Sequence, residues 1–222
     1  MKLLALDTST EACSAALAID GEVRERYIFA PGEHSKLILT MLDELLREAD
    51  IAVTALDALA FARGPGSFTG VRIAAGVAQG VAFGADVPVV PVSTLAVLAQ
   101  GAAAQHGWTQ VLAALDARMG EVYWGAFALD ACGVMRAHDA ERVCKPEQVV
   151  APAGEWHGAG PGWATFTQLG TLTPSFDGTL FPRALHAVPI ALADFRAGVR
   201  VPAEQALPVY LRDEVAWKKV TP

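Results

Sequence analysis

Residues Leu4–Gly21 read LALDTSTEACSAALAIDG, and residues Ala113–Gly133 read AALDARMGEVYWGAFALDACG. Each is an apolar strand closing on Leu-Asp, followed by a turn, a second apolar strand, an Asp and a Gly. One pattern returning in both halves of a chain predicts two related lobes with a cleft between them, although two unrelated β-hairpins would also look alike. Around the first copy, strands are predicted at Lys2–Leu6, Cys13–Ile19 and Glu22–Ala30. A helix His34–Ala49, a strand Leu56–Ala62, a helix Val71–Ala85 and a short strand Pro88–Pro91 follow, and then a helix capped by Ser93 runs to about His106. The order β-β-β-α-β-α-β-α requires a mixed sheet with helices on its faces, an α/β fold. The second lobe is expected from about Trp108, which divides the chain into 1–106 and 107–222. Its later part is punctuated by glycine and proline in APAGEWHGAGPGWATF, and a helix is read at about Ile190–Ala197.

With 222 residues, 53% of them apolar, the chain can bury one large core or two small ones. Seventeen basic residues against 24 acidic ones leave a net charge of −7, which argues against a general phosphate-neutralising surface. Nucleic acid would have to be held by a partner. The apolar opening meets Asp7 too soon for a signal peptide. The longest apolar run, Ile73–Ala85, is broken by Gln79 and by glycines and falls short of the ~18 to 20 residues of a membrane span. The cysteines are Cys13, Cys132 and Cys144, odd in number and without a C-x-x-C pair, so a reducing, cytoplasmic setting without membrane association is expected.

Asp7 and Asp116 each end a strand before a turn of small or polar residues. In duplicated α/β lobes such carboxylates face a shared cleft and hold a metal-bound phosphate, with Thr8 and Ser9 as phosphate-facing donors. The alternative is an Asx turn that uses each carboxylate locally. Gly158 and Gly160, in HGAGPGW with Gly162, either let backbone approach a nucleotide closely or form a plain turn. No two of His34, His106, His138, His157 and His186 have helical metal-pair spacing, no H-E-x-x-H occurs, and no metal site is expected. Cys13 reads as a small buried residue. No catalytic residue is assigned: Ser67 in GPGSFTG resembles a nucleophile elbow only superficially.

Two helices carry more information. In His34–Ala49, Ile38, Met41, Leu42 and Leu45, with Leu37, Leu39, Leu46 and Ala49, span an arc of roughly 200°, wider than one packed face needs. In Val71–Ala85, Gly76, Gly80 and Gly84 form a bare ridge, and each costs roughly 1 kcal/mol relative to alanine. Close approach of another backbone explains the ridge, whether that backbone is the chain's own sheet or another subunit. Val77, Val81 and Phe83 cover other directions, so this helix is expected to be buried nearly all round. Arg72, read in the first turn, opposes the helix dipole and calls for an anionic partner. The loop Gly64-Pro65-Gly66 before it is either an anion site or structural turn chemistry.

The stretches LLALDTST, HSKLILTML, ARGPGSFTGVRIAAGVAQGVAFG, VSTLAVLA, LDARMGEVYWGAF and PVYLRDEVAWK resemble, in order and over nearly the whole chain, the bacterial TsaB (YeaZ) family. The resemblance implies an actin-like ATPase fold of two ribonuclease H-like lobes with mixed sheets. It also implies membership of the machinery that makes N6-threonylcarbamoyladenosine beside the anticodon of tRNA. In that family the chain is a non-catalytic subunit that pairs with the catalytic paralogue TsaD and works with the ATPase TsaE. It contacts tRNA only through the complex and forms a homodimer when alone. TsaD carries a paired-histidine metal motif that this sequence lacks. Contact through the first two helices places Ile38, Met41, Leu42, Leu45, Arg72, Gly76, Val77, Gly80, Val81, Phe83 and Gly84 at the interface. The resemblance leaves nucleotide binding open: Asp7 to Thr10, Asp116 and Gly158 to Gly162 stand at the superfamily's motif positions either as relics of the fold or for ATP or ADP with magnesium, which the resemblance would put at the complex interface. A free-standing ATPase or kinase is the rival reading, and fold analogy alone does not decide it.

Overall fold

The computed structural model describes residues 1–212; the final stretch of PVYLRDEVAWK, 213–218, lies outside them. The first sheet contains β1 (Lys2–Asp7), β2 (Ala12–Ile19), β3 (Glu22–Phe29), β4 (Ala58–Gly64) and β5 (Val89–Ser93), in the spatial order β3-β2-β1-β4-β5. The second contains β6 (Gln110–Asp116), β7 (Val122–Leu129), β8 (Met135–Ala137), β10 (His157–Ala159) and β11 (Phe176–Asp177), in the order β8-β7-β6-β10-β11, with β9 (Arg142–Cys144) beside β7. In each, the first three strands pair antiparallel and the last two run parallel to the first. The same mixed topology thus occurs twice, and the repeated Leu-Asp stretches supply equivalent central hairpins, β1–β2 and β6–β7.

Alternation along the central strands explains the layering. In β1, Leu4 and Leu6 point to a core shared with α1 (His34–Glu48) and α2 (Phe68–Ala85), whereas Leu3 and Ala5 point to the opposite face. There α3 (Thr94–His106) and α5 (Ala184–Arg196) lie between the sheets. Alanines dominate this middle layer, among them Ala16, Ala60, Ala99 and Ala187, and their small volume lets helix and sheet backbones approach closely. On the far side of the second sheet, Leu112 and Ala114 pack with Trp124, Trp156 and Trp163 near α4 (Pro161–Thr165). No helix among the described residues is long and apolar enough to cross a membrane.

The boundary between 106 and 107 separates the sheets but not the packing, because the chain returns. Helix α5 lies on β1, β2, β4 and β5, Val201 pairs with Val89, and the Val209 N–H donates to the Arg63 carbonyl at 2.8 Å. Helix α5 also begins earlier than Ile190. Pro189 lies inside it, and its first free N–H groups are satisfied from the other lobe: Ala184 N–H by the Ser14 hydroxyl at 2.8 Å and Leu185 N–H by the Glu25 carboxylate at 3.1 Å. The helix buried nearly all round is α3, whose residues from Thr94 to Ala102 are all buried. Helix α2 is not, and this corrects the sequence expectation.

Candidate functional site

Helix α2 turns Ala74, Ala75, Ala78 and Ala82 inward and leaves its outer face in the open. A Cβ built on Gly76, Gly80 or Gly84 meets nothing within 4 Å, so the ridge does not accommodate the chain's own sheet. Phe83 beside it is 82% exposed and Leu39 on α1 is 55% exposed. Val77, Val81 and Met41 are half-buried and flank this face. Three residues assigned to it belong elsewhere: Ile38, Leu42 and Leu45 are at most 3% exposed and fill the core under α1. The apolar arc of α1 is wide because its centre faces the sheet and only its margins, Leu39 and Met41, reach outward. Arg72 also moves, because Ser67 caps the helix and Phe68 starts it, which puts Arg72 beyond the first turn. Among the described residues its guanidinium pairs with no carboxylate and lies over the Phe68 ring, 3.3 Å from the centroid, with Tyr210 behind at 5.3 Å.

The second feature is a cleft of about 790 Å³ between the two hairpin turns, with Ser9 to Glu11 on one wall and Asp116 to Met119 on the other. Both carboxylates make the Asx turn. Ser9 donates to Asp7 Oδ1 through its N–H at 2.8 Å and its hydroxyl at 2.6 Å, and the Arg118 N–H donates to Asp116 Oδ1 at 2.7 Å. Their surroundings differ. Asp7 is 1% exposed, does not line the cleft, and leaves Oδ2 without a partner; burial pushes its carboxyl up to about 6, only partly offset by the Ser9 hydrogen bonds. Asp116 lines the cleft but is held by Arg118, whose guanidinium also reaches Glu11 at 3.2 Å on the opposite wall. Arg118 and Met119 both have left-handed backbone, with φ of 62° and 57°. Arg72 and Arg212 line the cleft as well, and nothing in the sequence beyond its place in the turn marks Arg118 as the cation that spans its two walls.

The phosphate-facing roles of Thr8 and Ser9 are corrected by the same geometry. The Thr8 hydroxyl donates to the Gly70 carbonyl at 2.8 Å, and the Ser67 N–H donates to the Ser9 carbonyl at 2.7 Å, so this turn is stitched to the start of α2. A Cβ on Gly70 would collide with the Thr8 carbonyl and one on Gly66 with that of Ser9, which explains the glycines of GPGSFTG by close packing. Gly158 and Gly160 do not open onto a ligand either. A Cβ on Gly158 would strike the Trp163 ring, and one on Gly160, at φ 106°, would strike Leu98 and the Ala114 carbonyl. The donor set for a magnesium nucleotide in this cleft does not fit. The Ser9 and Thr165 hydroxyls donate within the chain, the Asp7 carboxylate is sealed off, and Asp116 and Glu11 are both paired with Arg118. Among the described residues no three His, Cys, Asp or Glu side chains cluster as metal ligands do.

Comparison with known proteins agrees with the doubled topology. A family model described as "TsaD: tRNA N6-adenosine threonylcarbamoyltransferase" matches residues 29–203. The Escherichia coli (strain K12) protein named "tRNA threonylcarbamoyladenosine biosynthesis protein TsaB" is 47% identical across 99% of this chain and 98% of its own length. Its namesake in Haemophilus influenzae is 42% identical across 99% of this chain and 97% of its own. The solved structure "YeaZ from Pseudomonas aeruginosa" superposes with a TM-score of 0.89 at 48% identity, covering 95% of this chain and 99% of that one. Similarity of this extent, over both lobes, makes the chain a member of the TsaB (YeaZ) family, with a TsaD-type domain and the two-lobed actin-like fold.

Proposed function

We propose that this chain serves in forming N6-threonylcarbamoyladenosine on tRNA as a non-catalytic, activating subunit that docks the catalytic paralogue TsaD on the outer face of α1 and α2. The observation that carries the reading is the bare ridge of Gly76, Gly80 and Gly84, which is open to the outside and bordered by Phe83, Val77, Val81 and Leu39. Three helical glycines are retained against about 3 kcal/mol of lost helix propensity, and the chain itself draws no packing from them. An incoming helix does, because small residues in line let two backbones approach within the distances of close helix packing. The match to the transferase family model makes a paralogous, similarly folded partner natural. In isolation the same face pairs with a second copy. TsaE joins the assembled pair, the net charge of −7 leaves tRNA to the partner, and the complex works in the cytoplasm.

The test is size-exclusion chromatography with light scattering on the chain with TsaD, using wild type and Gly80→Leu. The leucine side chain enters open space in the monomer and restores about 1 kcal/mol of helix propensity, so the variant should melt at the wild-type temperature or about 2 to 4 °C above it. It should nevertheless fail to form the heterodimer. A folded Gly80→Leu protein that still binds TsaD, or a wild-type chain that never does, refutes the docking face.

A further inference from the structure

On another side of the molecule a cavity of about 510 Å³ lies where the two sheets, α5 and the returning segment meet. Its floor is apolar, formed by the buried Phe127, Met135 and Ile190, and its charged wall contains Arg63, Arg136, Asp194 and Glu141. Two of these charges are satisfied: Arg136 pairs with Asp194 at 2.5 Å and with Asp130 at 3.2 Å. The other two form no ion pair among the described residues. Glu141 turns inward to accept a hydrogen bond from the Ser93 hydroxyl, a neutral donor that also caps α3 by accepting the Ala96 N–H. Burial raises its carboxyl above the usual range, with the Ser93 hydrogen bond and the Arg63 charge opposing. Arg63 makes no ion pair among the described residues, although it shares the cavity with Glu141.

A guanidinium and a half-buried carboxylate that line one cavity without forming an ion pair present complementary partners to a group carrying both opposite charges. The size and apolar floor are those of a small-molecule site. We propose that this cavity binds a small zwitterion of the α-amino acid class, its carboxylate on Arg63, its ammonium on Glu141 and its side chain over Phe127 and Met135. A planar carboxylate suits bidentate capture by the arginine, and the ammonium gives the inward-turned carboxylate the cation that Ser93 cannot supply. The site uses none of the residues of the α1 and α2 docking face, so it stands or falls independently of that reading.

Isothermal titration and thermal-shift measurements with glycine, L-alanine, L-threonine and L-leucine test it, with acetate and methylammonium as single-charge controls. At least one amino acid should bind with a Kd of about 1 mM or tighter, and each control should bind at least tenfold more weakly. Glu141→Gln and Arg63→Met should each weaken binding tenfold or more, and Arg63→Lys should recover part of the loss. Thermal melts of the free variants confirm that the fold is retained. Absence of binding at tens of millimolar, equal binding of the single-charge controls, or unchanged affinity in the folded variants would overturn the proposal.

Discussion

The orphaned oxygen of Asp7 leads to a pH-dependence that can be worked out with its sign. The Asp7 carboxyl is pushed from an ordinary 3.8 up to about 6 by burial, so between these values the folded chain binds more protons than the unfolded one. Stability attributable to Asp7 therefore falls as pH rises through about 6. Two pKa units at 1.36 kcal/mol each amount to about 3 kcal/mol of destabilisation above the folded pKa, of which roughly 1.4 kcal/mol disappears between pH 7.5 and pH 5. His186 works in the opposite direction. Half-buried on α5, with Nδ1 sealed against Gly101 and unpartnered among the described residues, it is pushed by burial from 6.5 down to about 4, so its contribution is present above pH 6.5 and is lost as pH falls. Between pH 7.5 and pH 5 that loss is roughly 2 kcal/mol. The two slopes largely cancel in the wild-type protein. Asp7→Asn keeps an oxygen to accept from Ser9 and removes the buried charge, at about 1 to 3 kcal/mol for the unpartnered amide donor that replaces Oδ2. Urea unfolding of wild type and variant at pH 5, 6 and 7.5 reads the difference. Relative to wild type, Asp7→Asn should gain roughly 1.4 kcal/mol on going from pH 5 to pH 7.5, and its own stability should drop on acidification with the slope of His186. A wild-type-minus-variant difference that does not change with pH would refute the assignment of a buried, uncompensated carboxylate.

Two substitutions test the close-packed glycines. Gly70→Ala drives a methyl group into the Thr8 carbonyl and should destabilise the chain by about 1 to 3 kcal/mol, lowering the melting temperature. Gly160→Ala adds a left-handed backbone penalty to its collision with Leu98 and Ala114 and should cost more than Gly70→Ala in the same denaturant titration. A stable Gly160→Ala protein would mean that the turn has room the structure does not give it, and the nucleotide-approach reading of that turn would return.

Much of the architecture was legible because it is written in local patterns. Leu-Asp-turn-strand occurs twice, so the mixed sheet of the first lobe and a second lobe built on the same hairpin followed from sequence, and the family resemblance supplied the second mixed sheet. Ser93 announced α3 through a local cap, and Cys13 announced a buried strand. The glycine ridge was legible as a ridge from its four-residue spacing. Its direction was not, because spacing shows which residues share a face and never what lies opposite. The family resemblance, applied to the helix as a whole, placed Ile38, Leu42 and Leu45 on a surface they do not reach.

The sequence by itself determined the repeated topology, the positions of most strands and helices, and the alignment of the three glycines, since each depends on residues within a few positions of one another. Tertiary structure decided the rest through contacts between distant residues. Ser14 and Glu25 set where α5 begins, a role that neighbours of Ala184 do not play. Gly70 takes up the Thr8 hydroxyl that the isolated turn would offer to a phosphate, and Arg118 reaches across to Glu11 and pairs with Asp116, the carboxylate expected to hold a metal-bound phosphate. The outer face of α2 remains open because its inward alanines, Ala74, Ala75, Ala78 and Ala82, complete the packing over Leu4, Leu6, Leu59 and Phe61 of the sheet, a balance of volumes that appears only once the layers are assembled.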